Sequence, residues 1–441
     1  MKIAFLPIDN RPVCYTLPVQ ITRIDKDIEF FIPERNLLGD LTMQADISGL
    51  FKWLENLPQC DAIILSLDTI AYGGLIPSRR SEETFEEIKD RIECLKEILK
   101  SKHAKIYAFS SIMRISNNNI NEEEKVYWNR WGKKIFDYSY QTHKLGCESC
   151  IANVIPSEIL DDYMAGRKRN FEINKIYLEW QKEGLLDTLV FSKDDCAEYG
   201  FNVQEARALE ALGGFTKTGA DEIPLTLLAR AIGQPIKIAP VFLAPECKDL
   251  ISNYEDVSIE KSVTGQIELA GCQVASVEDA DIILYVNNFE ERQGEIVMGV
   301  PTKPFDGIWE KSEKPYMIAD VRYANGADNA FVEQILKSGC DKNFYGYSAW
   351  NTSANTLGSL ICAAKVKFCA QNYNEEAFKA LEAVRLLDDW AYQANIRQSE
   401  EAEIKYAMYP FEERVNKFLD TNFTPEYKFP WNRRFEVEVT L

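Results

Sequence analysis

Continuous apolar runs recur along the whole chain with amphipathic stretches between them, and this pattern limits the fold more than any other feature of the sequence. A run without alternation is typical of a strand that is covered on both faces, as in a parallel sheet. The stretches between the runs have the spacing of helices, for example 81–102 with Ser81 as its N-cap and 329–339 with a C-terminal glycine. Nine segments fit a strand: 2–8, 28–33, 62–67, 105–112, 187–192, 237–243, 281–287, 316–321 and 343–350.

This order of elements predicts a mostly parallel α/β fold and leaves two architectures open. If 28–33 is peripheral, eight strands remain, enough for a (β/α)8 barrel within residues 1–373. Residues 374–441 would then form a helical appendage and a C-terminal tail that packs on this body. If 28–33 belongs to the main sheet, the spacing favours two doubly wound open-sheet domains that divide near 233–235. We favour the barrel and keep the open sheets as the alternative.

Composition and charge exclude several classes of partner. The chain has 441 residues, 46% of them hydrophobic, and can bury a large core. Its net charge of -19 disfavours nucleic acid and anionic membranes, which both attract clustered Lys and Arg. No apolar run approaches the roughly 20 residues that span a bilayer, and the N-terminal segment resembles a first strand rather than a signal. We therefore expect a cytoplasmic protein with no nucleic-acid or membrane partner, and leave its oligomeric state open.

The cysteines indicate reduced thiols rather than a disulfide framework. Their number, 11, is odd, and they are scattered through strand-like and helix-like segments. Only Cys147 and Cys150 have the spacing of metal ligands, and the chain has just two histidines, His103 and His143. Half of a four-ligand zinc set is missing, so we expect no zinc, with Cys147 and Cys150 reduced. We expect no cofactor unless the protein uses Mg²⁺ or Mn²⁺.

Polar residues follow most of the predicted strands, at the edge where parallel sheets bind ligands. Asp9 and Arg11 follow the first strand, Asp68 the third, Asp194 and Asp195 the fifth, and Asp320 and Arg322 the eighth. We expect Asp9, Asp68, Asp194 and Asp320 to surround one cleft.

The segment "SLDTIAYGGLIPSR" places five candidate residues close together after a buried strand: Asp68, Tyr72, Gly73, Gly74 and Arg79. A carboxylate at a strand end loses little rotamer freedom on binding, and neighbouring glycines let a ligand approach the backbone. The alternative is a tight strand-to-helix turn that Asp68 caps.

One pair of neighbouring carboxylates points to acid/base chemistry. Asp194 and Asp195 repel each other when both are charged, so one is inclined to keep its proton, as a general acid requires. A solvated loop with capping aspartates is the alternative. Asp221 and Glu222, before an apolar helix, are interpreted first as a cap and a charged first turn.

Asparagines and aromatic residues at the last strand ends suit a polyhydroxylated ligand. Asparagine offers a donor and an acceptor together, and an aromatic ring can stack on the apolar face of a sugar. Together with the residues above, they complete the predicted substrate-binding set of Asp9, Arg11, Asp68, Tyr72, Gly73, Gly74, Arg79, Asp320, Asn325, Trp350, Asn351 and Asn355.

The motifs "FLPIDNRPVCY", "SLDTIAYGGLIPSR", "SKDDCAEYG", "TGADEIPLTLLAR", "DVRYANGAD", "YSAWNTSANTLGS" and "PWNRRFEVEV" resemble, in order, the prokaryotic domain-of-unknown-function family 4127. This resemblance implies no particular reaction. The Asp194-Asp195 pair is also similar to the consecutive acidic residues that end a barrel strand in O-GlcNAcase-like hydrolases. That analogy implies that Asp194 orients an acetamido group and that Asp195 is the general acid/base.

Three classes of function are compatible with these residues. The leading hypothesis is a glycoside-hydrolase-like enzyme that acts on a small or terminal sugar, with Asp194 and Asp195 central. The alternative is a hydrolase or transferase that uses Mg²⁺ or Mn²⁺ on an anionic substrate. Arg11, Arg79 and Arg322 would hold the substrate, and the cation would be bound by oxygens of Asp9, Asp68, Asp194 and Asp320. No phosphate-binding glycine loop is present, which disfavours nucleotide chemistry. The third class is a small-molecule-binding protein without catalysis.

Overall fold

The computed structural model describes residues 1–194, 196–400 and 403–441. The chain forms two compact units, each assembled from separate segments of the sequence. The first unit contains Met1–Tyr15, Glu29–Pro224 and Tyr254–Asp256. The second unit contains Thr16–Ile28, Leu225–Asn253 and Val257–Leu441, so that residues 374–441 belong to it.

The first unit is built on a six-stranded sheet. Its strands are β1 (Lys2–Leu6), β2 (Glu29–Phe31), β3 (Ala62–Ser66), β4 (Lys105–Ile112), β5 (Thr188–Lys193) and β6 (Thr216–Thr218). They lie in the order β2-β1-β3-β4-β5-β6, and every neighbouring pair is parallel. This is the strand order of a doubly wound open sheet. The order in which strands are added to the sheet reverses between β1 and β3.

The second unit is built on a five-stranded parallel sheet. Its strands are β7 (Lys237–Phe242), β8 (Gln273–Val274), β9 (Ile282–Asn287), β11 (Tyr316–Asp320) and β13 (Phe344–Ser348), in the order β13-β11-β9-β7-β8. Two small sheets accompany it: β10 (Gly294–Glu295) pairs with β12 (Tyr323–Ala324), and β14 (Glu426–Lys428) pairs with β15 (Glu438–Thr440).

Helices connect the strands of both sheets. The α-helices are α1 (Thr16–Thr22), α2 (Ile47–Glu55), α3 (Leu67–Tyr72), α4 (Leu75–Arg80), α5 (Phe85–Ser101), α6 (Trp128–Leu145), α7 (Ser157–Lys182), α8 (Phe201–Ala211), α9 (Ile223–Ala231), α10 (Ile259–Leu269), α11 (Asn329–Ser338), α12 (Ser353–Cys369), α13 (Glu375–Arg385) and α14 (Ile404–Leu419). A π-helix covers Leu386–Ile396, and short 3₁₀ turns cover Arg35–Leu37, Cys150–Val154, Pro245–Cys247 and Pro430–Asn432. None of the described helices is both long and apolar enough to cross a membrane.

The α/β class, the parallel pairing and all nine predicted strands are confirmed, but the favoured barrel is wrong. Both sheets are open among the described strands, as in the alternative architecture. The segment 28–33 decides between the two, because β2 pairs with β1 in parallel, with Lys2 opposite Glu29. It therefore belongs to the main sheet.

The apolar runs form strands because both faces of each sheet are covered. All five residues of β3 are buried, as are four of the five in β1. Helix α5, which follows the short α4, begins at Phe85 and therefore later than predicted. Thr84 and Glu87 form a reciprocal capping box at its N-terminus, while Ser81 is the C-cap of α4. The predicted helix 329–339 is confirmed as α11, with Asp328 as its N-cap.

Gly73 ends the short helix α3, which follows β3 directly. It lies in the left-handed region at φ 86°, and an added Cβ would lie 2.7 Å from Cβ of Gln44. Gly146 ends α6 in the same conformation, at φ 68°, but nothing lies within 4 Å of its Cβ position. Both glycines therefore adopt a left-handed backbone conformation, but only Gly73 lacks space for a side chain.

We expect Gly73→Ala to lower the free energy of unfolding by more than Gly146→Ala does. A left-handed alanine costs about 1–2 kcal/mol at either position, and the contact with Gln44 adds overpacking of roughly 1–3 kcal/mol at Gly73 alone. Urea unfolding of both variants measures the difference. Equal losses would show that the surroundings of Gly73 impose no packing constraint.

Candidate functional site

Arg11 joins two aspartates at the carboxyl edge of the first sheet. It lies in the loop after β1, where its Nε donates to Asp9 Oδ2 at 2.9 Å. Its terminal nitrogens donate to both oxygens of Asp221, at 3.1 and 2.6 Å. All three side chains are buried, and a buried guanidinium requires such paired acceptors. The loop after β1 is thus fixed to the segment after β6.

Glu222, next to Asp221, is a carboxyl group that keeps its proton. It is buried, and burial together with the nearby charges of Asp221 and Glu255 raises its pKa to about 8. Burial also raises the pKa of Asp221, whereas Arg11 lowers it. The two neighbours therefore differ in their surroundings: Asp221 pairs with the guanidinium of Arg11, whereas the raised pKa of Glu222 favours its protonated form.

Gly219 gives the Glu222 carboxyl group its position. Gly219 has a φ of 110°, and a Cβ on it would lie 1.8 Å from Oε1 of Glu222. No side chain larger than hydrogen fits there without moving that carboxyl group. A side chain at this position would displace the Glu222 carboxyl group, and the φ of 110° is one that residues other than glycine rarely adopt.

Arg79 and Arg114 form the second part of the site, and both contact Asp194. Arg79 Nη2 and Arg114 Nη1 lie 3.0 and 3.3 Å from Oδ2 of Asp194. The same two arginines lie 3.4 and 2.9 Å from Oε2 of Glu123. They also approach Oε1 of Glu124, at 3.8 and 3.1 Å. Two guanidinium groups are thus surrounded by three carboxylates.

Asp68 lies in the first turn of α3 and is almost completely buried. Its Oδ2 accepts a hydrogen bond of 2.7 Å from the backbone N–H of Ser111, and its Oδ1 lies 3.5 Å from the hydroxyl of Ser110. Burial raises its pKa to about 7, although these hydrogen bonds and Arg79 act in the opposite direction. Asp68 thus titrates near neutral pH.

Electrostatic effects connect these parts into one site. The charge of Asp194 contributes to the raised pKa of Asp221, and the charge of Arg79 lowers that of Asp68. Interactions of this kind require the groups to be near each other. Five of the predicted residues, Asp9, Arg11, Asp68, Arg79 and Asp194, thus follow strands of the same sheet, with direct contacts between Asp9 and Arg11 and between Arg79 and Asp194.

Further charged residues belong to the site, and Asp256 and Lys217 among them were not predicted. Lys193, at the end of β5, forms an ion pair with Asp256, which also accepts from the hydroxyl of Thr218. Lys217 on β6 is buried, and this burial lowers its pKa despite the charges of Glu255 and Glu222. Asp256 is remote in sequence from the strand ends of the site, so no pattern indicated it. Lys217 lies on β6, which has no apolar run and was therefore not predicted as a strand.

Tyr72 and the glycine pair have mainly structural surroundings. Tyr72 is buried and its ring is covered by the guanidinium of Arg169, 5.4 Å from the ring centroid, which argues against sugar stacking there. Gly73 and Gly74 form the junction between α3 and α4. They form a turn between two helices rather than the strand-to-helix turn capped by Asp68, and a role in binding stays a prediction.

The remaining predicted residues lie in the second unit. Asp320 accepts from Asn287, from the hydroxyl of Tyr347 and from the N–H of Asp328, and burial raises its pKa to about 7. Asn325 and Asn351 are both left-handed and joined by a backbone hydrogen bond of 2.8 Å. Trp350 and Asn355 are buried. A shared cleft of Asp320 with Asp9, Asp68 and Asp194 stays a prediction.

Thiol and carboxyl groups show no metal-binding arrangement in the described part of the chain. No group of three or more His, Cys, Asp or Glu side chains there is placed to hold a metal ion. All eleven cysteines are free thiols, and Cys147 and Cys150 are exposed. Asp195, the predicted general acid/base, lies outside the described residues.

The pKa of Asp68 makes a specific prediction for stability. Below about pH 4 both the folded and the unfolded chain keep this proton. As the pH rises to about 7 only the unfolded chain releases it, so this aspartate makes folding progressively less favourable. Asp68→Asn removes that contribution, on the order of 2–4 kcal/mol between these pH values.

Urea unfolding across pH 4 to 8 measures this effect, with Asp90→Asn on the exposed face of α5 as the control. We expect Asp68→Asn to gain stability relative to the parent protein as the pH rises, and the control to follow the parent. A constant difference between Asp68→Asn and the parent over this range would contradict the raised pKa.

Comparison with known proteins agrees with the motifs in the sequence. The family model described as "Protein of unknown function (DUF4127)" matches residues 3–440, almost the whole chain. No curated protein and no solved structure matches. The match extends through both compact units and includes every residue of the site described above. The chain therefore belongs to the DUF4127 family.

Proposed function

We propose that the protein is a glycoside-hydrolase-like enzyme that acts on a small or terminal sugar, in the cytoplasm. The observation that carries this proposal is the contrast between a protonated Glu222 and carboxylates held by arginines at one edge of the first sheet. Glycoside hydrolysis requires two such carboxyl groups, one that donates a proton and one that remains charged.

In this proposal Glu222 is the general acid. Its pKa of about 8 keeps the carboxyl group protonated at neutral pH, so that it can protonate the oxygen of the leaving group. Asp221 and Arg11 position it from one side, and Gly219 allows its carboxyl group to pack against the backbone. Closure of the site around a sugar would bring this buried group into contact with the substrate.

Asp194 is the charged carboxylate. Its side chain is 24% exposed, more than the carboxylates of Asp9 and Asp221, so a substrate can reach it. The hydrogen bonds from Arg79 and Arg114 fix its orientation. It would stabilise the positive charge that develops on the sugar ring, or activate a water molecule.

We expect Glu222→Gln to reduce turnover by ~10²–10⁴-fold while the fold is retained, because the amide has a similar shape but cannot donate this proton. A panel of aryl glycosides, including N-acetylhexosaminides, provides the assay, with Glu86→Gln on α5 as the control. A good leaving group needs less protonation and should partly restore the rate of Glu222→Gln. Full turnover of this variant on an unactivated substrate would contradict the assignment.

The same assay separates Glu222 from Asp195, which stays the candidate acid/base from the sequence. Only the variant at the true proton donor, Glu222→Gln or Asp195→Asn, should recover with activated leaving groups. If the donor is Glu222, kcat/KM of the parent enzyme should also fall as the pH rises above about 8, where the free enzyme loses this proton.

The proposal fails as a whole under one clear outcome. Activity that is absent across the glycosides but appears on phosphorylated compounds after addition of Mg²⁺ or Mn²⁺ would favour the cation-dependent hydrolase instead. Both outcomes can be observed with model compounds, so the natural substrate is not required.

A further inference from the structure

The segment between β4 and α6 crosses the site without regular secondary structure. It runs from residue 113 to residue 127 and contains the acidic sequence "NEEEK". Connections of this length without secondary structure are uncommon in compact domains and include lids and binding loops as well as linkers. We call residues 116–127 the acidic loop.

Arginines hold the acidic loop in place. Arg80 donates from Nε to the backbone oxygen of Glu124, from Nη2 to that of Glu122, and from Nη1 to that of Leu41. Arg79 and Arg114 bind the side chain of Glu123. The loop nevertheless exposes two apolar side chains, Ile120 at 64% and Val126 at 77%.

Glu123 occupies this arginine pair in the manner of a bound anion. One carboxylate oxygen, Oε2, contacts Nη1 of Arg79 and Nη2 of Arg114. On the other side, a single oxygen of Asp194 contacts the remaining terminal nitrogen of each arginine. Two guanidinium groups that converge on one oxygen direct several N–H donors at a single anionic group, and phosphate and carboxylate are the anions that arginine prefers.

The three carboxylates around the arginine pair differ in how easily a ligand could displace them from the two guanidinium groups. The side chain of Glu124 is only 4% exposed, whereas that of Asp194 is 24% exposed, but Asp194 directly follows β5, where the sheet holds its backbone. Glu123 is 25% exposed and lies on the irregular loop. Arg79, at 2% exposure, would remain in place as a preformed cation. Glu123 is therefore the group that a ligand can replace with the smallest rearrangement.

We propose that Arg79 and Arg114 bind an anionic group of the substrate, a phosphate or a carboxylate, and that Glu123 of the acidic loop occupies this subsite until the substrate displaces it. The inference deepens the proposed function, on which it rests, by specifying an acidic sugar as the substrate. Displacement of Glu123 removes only its side-chain contacts with the arginine pair, because Arg80 still holds the loop through the backbone of Glu122 and Glu124.

Calorimetric titration with inorganic phosphate tests this subsite without any enzymatic assay. We expect Glu123→Gln to bind phosphate about tenfold more tightly than the parent protein if the carboxylate leaves the arginines free in only a tenth of the molecules. Glu122→Gln, which makes the same change of charge on the next residue, should bind as the parent does. Equal affinity of Glu123→Gln and the parent, or no binding by either, would overturn the proposal.

A loss-of-binding variant completes the test. Arg114→Lys keeps the charge near Glu124 but removes the forked geometry, so we expect it to lose the affinity that Glu123→Gln gains when the two changes are combined. Unchanged affinity in the double variant would place phosphate elsewhere and overturn the subsite. Glucuronate, glucose 6-phosphate and glucose then distinguish a carboxylate from a phosphate ligand, and equal binding of all three would also overturn it.

The two proposals fail separately. Inactivity on every glycoside, with phosphate affinity gained in Glu123→Gln, would remove the hydrolase and leave the anion subsite. Hydrolysis of neutral glycosides, with no gain of phosphate affinity in Glu123→Gln, would support the hydrolase and remove the anion subsite.

Discussion

The bidentate ion pair between Arg11 and Asp221 is the interaction on which the site depends. It joins residues that are 210 positions apart and fixes the loop after the first strand to the segment after the last strand of the same sheet. Removal of one partner from a buried pair leaves an unpaired charge and costs about 3–5 kcal/mol. Because Glu222 follows Asp221 directly, the same pair also determines where the proton-carrying carboxyl group lies.

The open-sheet fold explains why so many charged groups meet at this edge. Parallel strands all end on the same side, so the loops after β1, β3, β4, β5 and β6 converge there. Burial then divides groups of similar chemistry into different protonation states. Glu222 and Asp68 are pushed toward the neutral form, whereas Asp9 is bound by the guanidinium of Arg11. Acid/base chemistry and anion binding can therefore coexist within one site.

The sequence predicted most of the fold because long apolar runs leave little choice. All nine runs became strands, and the two strands of the main sheets that escaped prediction, β6 and β8, are short, polar edge strands. The barrel was favoured wrongly because strand number and spacing do not reveal whether 28–33 pairs with β1. In the site, Asp9, Arg11, Asp68, Arg79 and Asp194 were found from their positions after strands. The partnership of Arg11 with Asp221, and of Arg79 with Glu123, depends on contacts across long sequence separations that periodicity cannot show.

The protonation state of Glu222 tests the central claim most directly. In protein labelled with ¹³C at the glutamate carboxyl groups, the resonance that disappears in Glu222→Gln identifies this residue. The structure predicts that this resonance titrates near pH 8, because burial and the neighbouring carboxylates hold its proton. A titration near the ordinary glutamate value of about 4.3 would show that Glu222 is charged at neutral pH, and would contradict its role as the proton donor of the site.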